Sequence, residues 1–240
     1  MEPWMVAFTL LAVAVSFLVS ASAGLGGSLI LVPALALVLG TKEGVALAAL
    51  LLAANNVVKV IAYRKTLPFR KSIVVILLVS LGAWVGARLL VSAPEDLVTV
   101  AVIASFVFAL VAERLELNRV KKLEGPVLAV ASGATSGFSG TSGPLKGMAL
   151  RQLDLGRAHF VGAASLVSLT GDATKAAVFT EAGLLTGDSL TVMFLAIPLM
   201  LVATFTGRRV NFSIGERGYS YLFWAVMAGY TLRLAGGLVA

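Results

Sequence analysis

Long apolar runs dominate the chain, and charged residues, glycines and prolines separate them. This pattern predicts helices over residues 4–22, 28–39, 43–63, 72–92, 97–112, 126–137, 144–150, 158–180, 189–206 and 219–239. Six of them approach the length of about 20 apolar residues that crosses a bilayer. The other four form two pairs around glycine-rich stretches, 4–22 with 28–39 and 126–137 with 144–150.

Composition places the protein in a membrane. Of the 240 residues, 59% are hydrophobic and 13% are charged, whereas a soluble domain is about half apolar and about a quarter charged. Continuous apolar runs also differ from the alternating strands of about ten residues that build an outer-membrane barrel. We therefore expect an all-α integral membrane protein surrounded by a lipid bilayer.

Several functional classes are excluded by the same composition. The net charge is +7, but the basic residues do not cluster as they do on nucleic-acid-binding proteins. The chain has no cysteine and one histidine, so no metal site or other cofactor is expected. No paired-carboxylate or serine–histidine constellation indicates an enzyme. The N-terminal MEPW precedes the first apolar run without basic residues and is taken as the mature start.

Lysine and arginine predict the topology, because basic loops stay in the cytoplasm. The basic connections are 64–71, 113–125, 151–157 and 207–218, whereas 93–96 and 181–188 carry no basic residue. Residues 125 and 157 then lie on the same side. The segment 126–150 is therefore expected to form a re-entrant hairpin, and Gly40 is expected outside.

The two halves resemble each other at a constant offset. Gly24, Gly27 and Lys59 each have an identical residue 116 positions later, at Gly140, Gly143 and Lys175. Each half then contains a re-entrant helical hairpin followed by three transmembrane helices. Because three spans are an odd number, the second half (119–240) is inverted relative to the first (1–118). Inverted repeats with broken helices are a transporter architecture.

The two glycine-rich bends are the candidate anion site. A helix that restarts in the membrane presents free N–H donors and the positive end of its dipole, and two such ends can bind an anion without a side-chain cation. Ser28 and Ser142 are expected to cap these starts. The alternative is that the glycines only allow close packing, as we expect for Gly82 and Gly86. The candidate residues are Gly24, Leu25, Gly26, Gly27, Ser28, Gly140, Thr141, Ser142 and Gly143.

Polar side chains inside the spans add further candidates. Lys59 and Lys175 can either face the site or extend towards the membrane surface. Asp172 is three residues before Lys175 on the same helix face, so the two side chains can pair. The alternatives for Asp172 are proton coupling and a structural hydrogen bond to one of the bends. Lys146 faces either the anion or, as we favour, the cytoplasmic interface. Asn55 and Asn56 complete the candidate set, while Arg88, His159 and Arg233 are expected at the interfaces.

The first bend, GLGGSLILVPAL, and its counterpart, SGATSGFSGTSG, resemble the TSUP family of TauE/SafE-like sulfite and organosulfonate exporters. The duplicated hydropathy pattern extends this resemblance over essentially the whole chain. It implies transport of sulfite, thiosulfate or a sulfonate across a prokaryotic cytoplasmic membrane. The second bend departs from the family pattern, with Pro144, Lys146 and, opposite Pro33, Ala149. These departures affect the expected substrate more than the fold.

The sequence therefore predicts a secondary transporter, an exporter of a small sulfur oxyanion or sulfonate. One inverted half would rock or slide against the other around the midplane site. A passive anion channel is an alternative, and a non-transporting membrane assembly partner is a more remote one. Proton coupling and a homodimer are left open.

Overall fold

A computed structural model describes residues 2–23, 27–114 and 125–213. Over these ranges the regular structure is helical throughout, with a 3-10 turn at Arg64–Thr66. The α-helices are α1 (Pro3–Ala23), α2 (Gly27–Leu39), α3 (Thr41–Ala62), α4 (Phe69–Ser92), α5 (Glu95–Arg114), α6 (Gly125–Ser139), α7 (Gly143–Arg151), α8 (Arg157–Glu181) and α9 (Gly187–Ser213).

The predicted helices agree closely with these bounds. Each described end lies within three residues of its prediction, apart from the end of α9. That helix was expected to end at residue 206 but continues through Arg208 and Arg209 to Ser213. Arginine is a good helix former, and the chain has no proline here, so charge alone does not stop the helix. The predicted helix 219–239 and the repeat boundary at 118/119 lie outside the described residues.

Four of the described helices, α1, α3, α4 and α9, are long and apolar enough to cross a membrane. The pair α6 and α7 is different, with 15 and 9 residues. At 1.5 Å per residue these helices are only about 22 and 14 Å long, so neither crosses a hydrocarbon core of about 30 Å. The described part of the chain thus combines helices long enough to cross a membrane with helices too short to do so.

Helices α3 and α8 pack against each other at the centre, with α4 against α6 and α8, and α9 against α1 and α3. The α4–α6 contact is made through glycine. A Cβ built on Gly82 or Gly86 of α4 would overlap a backbone carbonyl of α6, and one on Gly133 or Gly137 would overlap a carbonyl of α4. This confirms that Gly82 and Gly86 serve helix packing.

The three turns that the charge pattern predicts to lie outside the cell are close to one another at one end of the molecule. The Thr41 amide donates to the Glu95 carboxylate at 2.8 Å, and Arg88 of α4 pairs with Glu181 of α8 at 2.8 Å. Gly40, between α2 and α3, has φ +91°, which favours glycine. The turns at residue 40, 93–96 and 181–188 therefore lie together.

Candidate functional site

A polar cavity lies where the starts of α2 and α7 meet the central pair α3 and α8. Its volume is about 30 Å³, room for one or two waters or a small ion. The wall is made mainly of hydroxyl, amide, ammonium and carboxylate groups. It is formed by Ser20, Gly27, Ser28, Leu29, Leu52, Asn56, Lys59, Ser136, Thr141, Ser142, Lys146, Ser168 and Asp172.

The starts of the two half-helices touch at this cavity. The Ser28 hydroxyl lies 3.0 Å from the Thr141 hydroxyl. Gly140 has φ +78°, and a Cβ there would lie 2.8 Å from a methyl carbon of Val32. This bend therefore needs glycine both for its backbone conformation and for its approach to α2.

The predicted caps differ from the observed ones. Helix α2 begins at Gly27, so Ser28 is already helical and the prediction that it caps α2 is wrong; its hydroxyl reaches Thr141 instead. Ser142 does occupy the N-cap position of α7, but its side chain makes no capping hydrogen bond. The Ser142 hydroxyl lines the cavity, so a ligand there can meet it together with the helix start.

Three lysines point into the protein, and each donates to a serine. Lys59 donates to Ser20 at 3.2 Å. Lys175 donates to Ser136 at 2.9 Å. Lys146 donates to Ser168 at 3.0 Å. All three lysines are buried, Lys146 with 7% of its surface exposed, so the prediction that Lys146 lies at the cytoplasmic interface is wrong. Lys59 and Lys175 do not extend to the membrane surface.

The carboxylate of Asp172 connects the two central helices. One of its oxygens lies 2.7 Å from the Lys175 ammonium, which confirms the predicted pair. The other oxygen accepts a hydrogen bond of 2.8 Å from the Asn56 amide. Asn56 and Asp172 are 116 residues apart. The bond between α3 and α8 therefore joins two residues related by the offset found in the sequence.

The sequence matches the family model described as sulfite exporter TauE/SafE over residues 8–234. The chain belongs to this family. Members of the TauE/SafE family are membrane transporters of sulfite and related sulfur anions, so this chain is a multi-pass membrane protein of the exporter type. No match was found among curated proteins or solved structures.

Several other predicted residues lie away from the cavity wall. Asn55 accepts a hydrogen bond from Thr204 of α9 at 2.8 Å, and Lys175 reaches the wall only through Asp172 and Ser136. Gly143 begins α7. The predicted residues Gly24, Leu25 and Gly26 lie outside the described ranges. Eight of the predicted residues do line the cavity: Gly27, Ser28, Asn56, Lys59, Thr141, Ser142, Lys146 and Asp172.

The sequence analysis missed five residues of the wall, Ser20, Leu29, Leu52, Ser136 and Ser168. One signal was present for two of them, because Ser20 and Ser136 are identical residues at the 116-residue offset. Serines in membrane helices often hydrogen-bond only to the backbone of their own helix. The presence of a serine in such a helix therefore did not by itself indicate a site.

A metal-binding cluster or a histidine would indicate another chemistry, and the described cavity wall contains neither. No group of three His, Cys, Asp or Glu residues arranged to hold a metal occurs within residues 2–23, 27–114 and 125–213. His159 is exposed near the start of α8 and Arg88 is exposed near the end of α4, so neither side chain lies at the cavity.

Proposed function

We propose that this chain is a secondary transporter that exports a small sulfur-containing anion, such as sulfite, thiosulfate or a sulfonate, by alternating access. The cavity between α2, α3, α7 and α8 would be its anion site. One observation carries the proposal: buried lysines and the starts of two half-helices converge on the same small cavity.

The electrostatics of the cavity favour an anion. Helix starts contribute partial positive charge and N–H donors, and the hydroxyls of Ser28, Thr141 and Ser142 add neutral donors. The sequence analysis placed the anion at the helix starts and left open whether the lysines face it. The amine ends of Lys59 and Lys146 belong to residues that line the same cavity, and positive charge on either one would attract an anion more strongly there than in bulk water.

Matched contacts support an inverted-repeat architecture with halves 1–118 and 119–240. The bond from Lys59 to Ser20 has an equivalent 116 residues later, from Lys175 to Ser136. The packing of α4 on α6 likewise has an equivalent in the packing of α9 on α1. Residues 56 and 172, which are equivalent, touch each other. A two-fold axis would pass through such a contact, which would bring the site close to the membrane midplane.

The short helices α6 and α7 support a re-entrant hairpin. A Cβ on Gly125, at the start of α6, would lie 2.6 Å from the side-chain oxygen of Gln152, just after α7. The two ends of the segment are therefore adjacent, as they are when a segment enters and leaves through one face.

Because the protein has no cysteine, single-cysteine labelling in vesicles tests this topology cleanly. We expect Lys65→Cys, Pro126→Cys and Gln152→Cys to react from the cytoplasmic side. Asp96→Cys and Asp188→Cys should react only from the other side. All five positions are exposed. Labelling of Pro126→Cys and Gln152→Cys from opposite sides would contradict the hairpin.

A cavity-filling substitution tests the site itself. We expect Ser142→Leu to lower saturable uptake of radiolabelled thiosulfate into proteoliposomes by about tenfold or more, because the larger apolar side chain would project from the wall into the cavity. Ser142→Ala is the matched control: it removes one hydroxyl donor but adds no bulk to the cavity, so its uptake should fall much less than that of Ser142→Leu. Equal uptake by the two variants would reject this site, and uptake that never saturates would favour a channel.

A further inference from the structure

One position on the faces of α3 and α8 that line the cavity is aliphatic in the first half of the chain and polar in the second. The wall residues of α3 are Leu52, Asn56 and Lys59, and those of α8 are Ser168 and Asp172. Asn56 and Asp172 are equivalent at the 116-residue offset, and both are polar. Leu52 and Ser168 are equivalent at the same offset, so a leucine on α3 corresponds to a hydroxyl on α8.

The serine of this pair belongs to a bond that has no equivalent in the first half. Lys146 of α7 donates to Ser168 at 3.0 Å. The positions 116 residues earlier are Ile30 and Leu52, and both are buried and aliphatic. The lysine–serine bond at the last turn of α3, in contrast, recurs in α8. The second half therefore supplies hydrogen-bonding groups where the first half supplies apolar surface.

Leu52 meets the cavity with its side chain. It lies inside α3, one turn before Asn56 and two turns before Lys59, so the three side chains share one face of the helix. Backbone groups inside a helix bond to one another, which leaves the aliphatic side chain as the surface that a ligand touches at this point. The wall is therefore apolar at Leu52 and rich in donors at α7 and α8.

We propose that Leu52 is a specificity residue, which makes the cavity accept anions whose sulfur carries oxygens on one side only and reject sulfate. The inference rests on the proposed function and specifies the substrate class of the same site. Lys146, Ser168 and the start of α7 would bind the oxygens of the SO₃ group. An amine donates hydrogen bonds with or without its extra proton, so this arrangement does not depend on the charge of Lys146.

Leu52 would face the fourth corner of the anion. That corner is a second sulfur atom in thiosulfate and a carbon atom in a sulfonate, and sulfur is a weak hydrogen-bond acceptor. In sulfate the corner is a fourth oxygen, which would lose its water contacts against the leucine without gaining a donor. Sulfate and thiosulfate are both dianions, so the discrimination needs no difference in charge.

Sulfate and thiosulfate are therefore the probe pair. We expect the purified wild-type protein to bind thiosulfate at least about tenfold more tightly in calorimetric titrations, equivalent to about 1.4 kcal/mol. Leu52→Ser places on α3 the residue that α8 has at the equivalent position. Its hydroxyl can donate to the fourth oxygen of sulfate, so the affinity ratio should fall below about threefold. Leu52→Met stays apolar at a similar volume and should keep the wild-type ratio.

Two further variants separate polarity from space and test the orientation of the anion. Leu52→Ala opens the same space as serine without the hydroxyl, so its ratio should stay clearly above that of Leu52→Ser. Lys146→Met should weaken both anions by similar factors, because both present the same SO₃ group to Lys146.

The inference would be overturned by equal wild-type affinities for the two anions, by equal ratios in Leu52→Ser and Leu52→Ala, or by unchanged affinities in Lys146→Met. Any of these results would leave export of sulfur anions intact. If neither anion binds and radiolabelled thiosulfate and sulfite are not transported either, the proposed function fails as well.

Discussion

Asp172→Asn is expected to lower the free energy of unfolding by about 3–5 kcal/mol, because it leaves the ammonium group of Lys175 buried without its carboxylate. The side chain of Lys175 has no exposed surface, and that of Asp172 is only 7% exposed. Asparagine keeps an oxygen that can accept the bond from Asn56, so the substitution isolates the charge. An unfolding titration in mixed detergent micelles measures the loss.

Two comparisons separate the charge effect from a general packing defect. The double substitution Asp172→Asn with Lys175→Met removes both charges and should recover more than half of the lost free energy. Glu181→Gln breaks an exposed ion pair, in which the side chain of Glu181 is 64% exposed and that of Arg88 49%. This substitution should lower the free energy of unfolding by less than about 1 kcal/mol. A double variant no more stable than Asp172→Asn alone would show that the ion pair is not the source of the stability.

Gly133→Ala is expected to destabilise the protein by about 1–3 kcal/mol, although it adds a single methyl group. A Cβ at this position would overlap the carbonyl oxygen of Val79 in α4, and backbone atoms can give way only if the helices move apart. The added carbon would also lie 2.8 Å from the backbone nitrogen of Ala83 in the same helix. Thermal unfolding in detergent, followed by gel filtration, measures the change.

Gly187→Ala is the matched control for this substitution, because a Cβ at Gly187, the first residue of α9, would have no atom within 4 Å. Alanine is the better helix former, so this variant should be as stable as the wild type or slightly more so. Equal stability of the two alanine variants would contradict close packing between α4 and α6.

Sequence reasoning could predict the helices because their ends have local causes. Gly40 separates α2 from α3, Pro144 stands in the first turn of α7, and the charged Glu95 begins α5. These residues act on the few positions around them, wherever the rest of the chain lies. The end of α9 shows the limit, since arginine is a helix former and stops nothing by itself.

The direction of the lysines could not be predicted in the same way. A lysine one turn from a helix end can extend towards water or turn inward, and its choice depends on the neighbouring helix. Lys59 turns inward because Ser20 of α1 lies within 3.2 Å, and Lys146 because Ser168 of α8 lies within 3.0 Å. Both partners are remote in sequence, so only the packing of the helices brings them into reach.

The glycine contact between α4 and α6 has a mechanical consequence. Helix α4 lies in the first half of the chain and α6 in the second, and α1 and α9 likewise join the two halves. Pulling the sequence halves apart as rigid bodies would break both contacts, including one in which backbones touch. In the proposed alternating-access cycle, each moving unit would therefore combine segments from both halves, with α4 travelling alongside α6.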